Sequence, residues 1–261
     1  MSIISKLAMN IMFRPMFGHV EATDQKFDHQ IIQGRDGSRL EVAWQWTKAD
    51  TPKGVVLVCH PWLKYGMHYA IKQKYADGLS NSPYHLVYFN FKGFGKSTVN
   101  SIAFSEDIIS MAEHIKSTAS ELPLYLFGLS MGGYHGLHAV SRHPHLFNGV
   151  ILDSVPMSID RFFSKGILGY FMRILSKSSL ASVTTTGPML SAYEKTKDMP
   201  VLLFLGDQDP YISATEIEQI IMASPAINLR IVEGADHLRC HKAQREFYDQ
   251  EIINHLNLLT T

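Results

Sequence analysis

Seven short apolar runs, spaced by longer helix-compatible stretches, constrain the fold of this chain more than any other feature. They are RLEVAWQW (39–46), GVVLVCH (54–60), HLVYFNF (85–91), LPLYLFG (122–128), GVILDS (149–154), PVLLFLG (200–206) and NLRIVEG (228–234). After the first, most of the runs are nearly continuous in aliphatic and aromatic residues, the pattern of strands buried on both faces. Helix-compatible stretches fall near 68–81, 104–119, 131–142, 213–223 and 239–258. Alternation of this kind predicts an α/β fold, a mostly parallel central sheet flanked by helices. Gly34-Arg35-Asp36-Gly37 is a turn signal before the first run. The rhythm breaks once. Residues 155–199 contain the aromatic IDRFFSKGILGYFMRIL and the turn-rich SKSSLASVTTTGPML. Ligands of open α/β sheets bind outside the carboxyl ends of the strands. A segment leaving from such an end is expected to form a small helical lid, the alternative being a crossover helix with long loops.

One apolar run ends in an unusual knot, Gly128-Leu129-Ser130-Met131-Gly132, with Gly133 next and a helix-like stretch beyond. A strand that turns abruptly into a helix crowds the positions two before and two after the corner, so glycine fits there. The corner lifts its hydroxyl to the N-terminus of the next helix, where backbone N–H groups face whatever attaches to the oxygen. Ser130 is therefore the candidate nucleophile. A serine hydroxyl needs a base, and the base needs a carboxylate to orient it. LLFLGDQDPYI places Asp207 and Asp209 at the end of one strand, and IVEGADHLRC places His237 at the end of the next. Both lie on the same sheet edge as Ser130.

These motifs together resemble the α/β-hydrolase superfamily, in particular its serine esterases, lipases and thioesterases. GLSMGG resembles the family's nucleophile elbow, GDQDPYI its acid loop, GADH the setting of its histidine, and FNFKGFGKST its D-x-R-G-x-G-x-S loop. The resemblance runs from about residue 30 to the C-terminus apart from the insertion. It implies a catalytic set of Ser130, His237 and Asp209, with Asp153 at the end of an earlier strand as the rival acid. It also implies an oxyanion hole made by the N–H of Met131 and one from the loop after GVVLVCH. Relatives usually carry His-Gly in that loop, whereas this chain has His60-Pro61. Proline has no N–H, so Trp62 is the candidate donor, with Leu63 behind it. Asn90 and Lys92 stand where relatives commonly have Asp and Arg, in a loop read as structural.

The expected reaction is cleavage of a carboxylic ester through an acyl-enzyme intermediate. An acyl thioester is the alternative substrate, and a non-catalytic binding or scaffold protein the alternative class. No cofactor is implied. Phe162, Phe163, Tyr170 and Phe171 of the insertion are candidates for the substrate pocket. His135 and His138 could share a helix face, but no H-E-x-x-H accompanies them and no metal site is expected. Lys and Arg total 24 and Asp and Glu 24, a net charge of zero that gives no footprint for a nucleic acid. Cys59 and Cys240 are too few for a disulfide framework, which points to a reducing, cytoplasmic setting.

No apolar run is long enough to span a bilayer. The first residues lack the form of a signal peptide, because Asn10 and Arg14 interrupt their apolar stretch. Ile3, Ile4, Leu7, Ala8, Ile11 and Met12 do share one helical face. That makes residues 1–29 a candidate helical segment before a hydrolase domain over 30–261, with its lid at about 155–199. The face suits docking on the domain or on a twin subunit, so a homodimer is one open state. A membrane surface suits it less, because the polar side carries few basic residues.

Overall fold

Each of the seven predicted runs forms a strand. The computed structural model describes residues 26–63, 65–101, 103–158 and 187–260. Eight strands form a single sheet: β1 (Asp28–Gln33), β2 (Arg39–Gln45), β3 (Gly54–Cys59), β4 (Tyr84–Phe89), β5 (Leu124–Leu129), β6 (Gly149–Asp153), β7 (Val201–Gly206) and β8 (Asn228–Val232). Their order across the sheet is β1-β2-β4-β3-β5-β6-β7-β8. β1 pairs antiparallel with β2, and β2 antiparallel with β4. All other neighbours are parallel.

The added strand, β1, has a sequence reason for escaping notice. DHQIIQ lies at the sheet edge and is largely exposed, so it needs no apolar run. The turn signal that follows it closes the β1–β2 hairpin. Gly34 N–H donates to the Ser38 carbonyl at 2.7 Å, and Gly37 takes a positive φ of 77°.

Seven α-helices lie among the described residues: α1 (Met67–Lys72), α2 (Phe104–Thr118), α3 (Met131–Arg142), α4 (Gly187–Lys195), α5 (Ala214–Ala223), α6 (Cys240–Ala243) and α7 (Arg245–Leu258). The stretch predicted as helix over 68–81 is shorter, because Lys74 adopts a left-handed φ of 62° just beyond α1. The stretch over 239–258 is split at Gln244, whose φ of −140° and ψ of 70° leave the helical region. At the start of α5, Ser213 and Glu216 form a reciprocal capping box, satisfying donors that the first turn leaves open.

Side chains of a strand alternate between faces, and the two cores follow that alternation. Val55, Leu57 and Cys59 of β3 face a cluster with α2, α3, α4 and α5. Val56 and Val58 face the other, with α1, Tyr75, Cys240 and α7. The stretch expected as a lid contributes α4 to the first cluster, where Met189 and Tyr193 are fully buried. Residues 159–186, including Phe162, Phe163, Tyr170 and Phe171, lie outside the described residues, as does the N-terminal segment through residue 25. No helix among the described residues is long and apolar enough to cross a membrane.

The strand order reverses at the centre of the sheet. The chain leaves β3 for β4 on one side and later returns as β5 on the other. α1, which follows β3, packs on one face, whereas α3, which follows β5, packs on the opposite face. The loops at the carboxyl ends of β3 and β5 therefore diverge, which is where open α/β sheets bind ligands.

Candidate active site

Ser130 occupies the corner between β5 and α3 with φ 48° and ψ −116°. Its strained backbone is held on both sides, since its N–H donates to the Asp153 carbonyl at 2.8 Å and its carbonyl accepts Tyr134 N–H at 2.9 Å. The glycines around it are required by contact. A Cβ on Gly132 would stand 2.1 Å from the Cys59 carbonyl oxygen and 2.6 Å from that of His60. A Cβ on Gly128 would stand 2.3 Å from the Gly133 Cα. The start of α3 is thus pressed onto the end of β3, which brings the Met131 N–H beside the loop that begins at His60. Met131 is the first residue of its helix, and first-turn N–H groups have no intrahelical acceptor.

Ser130 Oγ lies 2.9 Å from His237 Nε2. The other ring nitrogen, Nδ1, lies 2.8 Å from Asp209 Oδ2. A carboxylate only accepts, so Nδ1 carries the proton, and Nε2 is left with its lone pair toward the serine hydroxyl. Three side chains from the ends of β5, β7 and β8 therefore meet in one hydrogen-bonded line. Ser130 and Asp209 are buried, at 3% and 6% exposure, and the His237 side chain at 13% forms the open edge of the trio. Asp209 is aimed by its own loop, because Oδ1 accepts the Tyr211 N–H at 2.9 Å. The Tyr211 ring stands edge-on to the imidazole with centroids 4.8 Å apart. Tyr211 was not singled out from the sequence, although its position two residues after Asp209 was the available signal.

The other acids have different partners. Asp207 accepts the Gly234 N–H at 2.8 Å and braces the turn beyond β8. Asp153 is fully buried, accepting from Ser154 Oγ at 2.8 Å and from Tyr248 OH at 2.7 Å. Burial raises its carboxyl above the usual range, while the hydrogen bonds from Tyr248 and Ser154 pull it back.

His60 organises the loop after β3. Its Nδ1 lies 2.7 Å from the Pro61 carbonyl oxygen, and its Nε2 accepts the Phe91 N–H at 3.2 Å. Burial lowers the imidazole to about 4 against the raising effect of the Pro61 carbonyl. It is a neutral ring with both nitrogens engaged, 0% exposed, and so has no free base function. The Pro61 carbonyl also accepts the Leu63 N–H at 2.7 Å. Leu63 is thereby committed. In a planar trans peptide the carbonyl and the following N–H point in opposite directions. Pinning the Pro61 carbonyl therefore fixes the Trp62 N–H to point away from His60. The Trp62 indole anchors the same loop, stacking on His135 at 5.3 Å and meeting Phe104 edge-on at 4.6 Å.

The loop after β4 braces this arrangement. Asn90 Oδ1 accepts the Met67 N–H at 2.8 Å, and its amide donates to Glu41 Oε2 at 2.8 Å. An Asp in its place would set two carboxylates against each other, which accounts for the departure from the usual pattern. Lys92 is fully buried and bonded to Asp36 at 2.6 Å and Asp107 at 2.9 Å. His135 and His138 are both lowered by burial, to about 3 and about 4, and sit among aromatic rings. No group of three or more His, Cys, Asp or Glu among the described residues could hold a metal ion.

Known proteins share this architecture. The chain is 22% identical to an uncharacterised membrane protein of Saccharomyces cerevisiae over 225 residues, 82% of this chain and 75% of the relative. Its fold is similar to that of an esterase from Pyrococcus furiosus, with a TM-score of 0.70 and 18% identity over 94% of this chain and 95% of the other. A thermostable carboxyl esterase from Bacillus coagulans is similar with a TM-score of 0.69 and 14% identity, over 91% of this chain and 100% of that one. The family model of serine aminopeptidase, S33, matches residues 50–187, a span that runs from β3 through the Ser130 elbow to the start of α4. The chain thus belongs to the S33 serine aminopeptidase family of α/β hydrolases.

Proposed function

We propose that this protein cleaves a carboxylic ester by acyl transfer to Ser130. The observation that carries the reading is the unbroken line from Ser130 Oγ through both nitrogens of His237 to Asp209, at 2.9 and 2.8 Å. As a substrate carbonyl approaches, Ser130 Oγ attacks its carbon while His237 Nε2 takes the hydroxyl proton. Asp209 holds the ring in the required tautomer and stabilises the imidazolium. The tetrahedral oxyanion is held by the N–H groups of Met131 and Trp62. His237 then protonates the leaving alcohol, which departs as the acyl-enzyme forms. In the second half, water gives a proton to His237 and attacks the acyl carbon, releasing the acid and restoring Ser130. General base assistance of this kind supplies ~10²–10⁴-fold, and one oxyanion donor ~10²–10³-fold. Family membership supports hydrolysis by serine, and the likeness to two esterases favours an ester over a peptide.

The test is labelling by a fluorophosphonate probe followed by a substrate panel. Wild-type protein is expected to label, and Ser130→Ala is not. A folded wild type that fails to label refutes the catalytic reading and leaves a binding protein. Among p-nitrophenyl esters, acyl-CoA thioesters and aminoacyl p-nitroanilides, the esters are expected to give the highest kcat/KM. Preference for thioester or anilide would keep the nucleophile and overturn the substrate class.

A further inference from the structure

We infer that Ser154, at the end of β6, is a positioning residue that sets the nucleophile-to-base distance, an inference that rests on the Ser130–His237–Asp209 reading above. Two successive residues of the β6 end are tied to the two reacting partners. The Asp153 carbonyl accepts the Ser130 N–H at 2.8 Å. The Ser154 hydroxyl oxygen accepts the N–H of Leu238, the residue after His237, at 3.0 Å. The elbow and the histidine loop are otherwise far apart in the chain, and here one dipeptide spans them. Ser154 is itself fixed to β7, since its N–H donates to the Phe204 carbonyl at 3.0 Å.

Leu238 has a left-handed φ of 59°, a conformation a leucine avoids. It is kept there from both sides. Ser154 holds its N–H, and the Tyr75 hydroxyl donates to its carbonyl at 2.9 Å. Both clamping residues are fully buried. The Ser154 hydroxyl has a single proton, and its direction is set from beneath. Asp153 Oδ1 takes that proton at 2.8 Å, while Oδ2 accepts the Tyr248 hydroxyl at 2.7 Å. With its proton on Asp153, Ser154 keeps a lone pair for Leu238. The buried acid beneath the histidine loop thus serves as the orienter of a clamp, apart from the line that Asp209 completes.

Ser154→Ala removes the acceptor for Leu238 at a fully buried position. Using p-nitrophenyl acetate, kcat is expected to fall ~10²-fold, the scale of an ångström-sized misplacement of reacting groups, with KM within threefold. Fluorophosphonate labelling of Ser130 is expected to slow in parallel. Tyr75→Phe keeps the ring, frees the Leu238 carbonyl and gives up the hydrogen bond with Tyr69, and its kcat is expected to fall roughly tenfold with KM unchanged, a smaller misplacement of the same groups. A folded Ser154→Ala with kcat within twofold of wild type overturns the proposal, as does a loss expressed wholly in KM. If Ser154→Ala fails to fold, Tyr75→Phe decides by the same criterion. Ser130→Ala separates the two levels of argument. Hydrolysis retained in Ser130→Ala overturns the reading of the site, whereas hydrolysis abolished there with both clamp variants at wild-type rates overturns only the clamp.

Discussion

Replacing Asp209 by Asn tests the line of hydrogen bonds at its most discriminating point. Asp209 uses both oxygens as acceptors, Oδ2 from the His237 Nδ1–H at 2.8 Å and Oδ1 from the Tyr211 N–H at 2.9 Å. Asn offers one acceptor and one donor in the same space. If its oxygen stays on Tyr211, its amide faces Nδ1. The histidine must then shift its proton to Nε2, and the serine loses its base. If the amide turns toward Tyr211 instead, two N–H groups confront each other in a position only 6% exposed, which costs about 1–3 kcal/mol. The first arrangement is favoured, and it is the inactive tautomer. The loss expected for a wrong tautomer in such a trio is ~10⁴-fold in kcat, equivalent to about 5.4 kcal/mol at 1.36 kcal/mol per decade. Steady-state hydrolysis of a p-nitrophenyl ester measures it, with thermal denaturation as the check on folding. Asp153→Asn is the comparison. There the Asn oxygen can accept from Ser154 while its amide donates to a reoriented Tyr248 hydroxyl, so the loss is expected to stay below tenfold. Less than tenfold loss in Asp209→Asn, or an equal loss in Asp153→Asn, would refute the reasoning.

Gly132→Ala drives a methyl to within 2.1 Å of the Cys59 carbonyl and 2.6 Å of that of His60. Since both neighbours are backbone, a destabilisation of about 1–3 kcal/mol is expected in urea titration, with hydrolysis falling at least as far. A fully stable, active variant would show that the elbow is not pressed onto β3. Lys92→Met strands Asp107, and in part Asp36, without their buried cation. A loss of about 3–5 kcal/mol is expected, and a change under 1 kcal/mol would make the ion cluster irrelevant to stability. The pH dependence of stability has a definite sign at His135, which burial lowers to about 3. Its folded value lies below the unfolded ~6.5, so the unfolded chain binds the proton first, and stability is lost as pH falls from about 6.5 toward the folded value. Between pH 6.5 and 5 that is about 2 kcal/mol. Asp107, raised by burial to about 7, acts in the opposite sense. His135→Phe is therefore compared with wild type by urea midpoints at pH 7 and pH 5. The variant is expected to lose less stability on acidification, and identical slopes would refute the assignment.

Much of this protein is written locally. A strand buried on both faces can only be an apolar run, so the central strands β3 to β7 are legible as letters. An elbow that presses a helix onto a strand end leaves no space for Cβ atoms, so Gly128, Gly132 and Gly133 mark Ser130 without any structure. Open α/β sheets present binding residues at the carboxyl ends of their strands, so Asp209 and His237 of the candidate site stand where a reading of the strands puts them. What depends on pairing across the sheet was not legible. β1 is an edge strand with little to bury, and so left no periodic trace. The helix breaks at Lys74 and Gln244 follow backbone angles that no residue there demands. Asp153 and Asp209 end neighbouring strands and look alike in sequence. Only the packing turns one toward His237 and seals the other beneath Ser154 and Tyr248. His60-Pro61 likewise reads as a missing glycine until the tertiary structure pins the Pro61 carbonyl and so directs the Trp62 N–H. Local sequence decides which conformations and burials a segment can bear. The partners of a buried donor or acceptor are decided by residues tens of positions away, and those partners set the chemistry of this site.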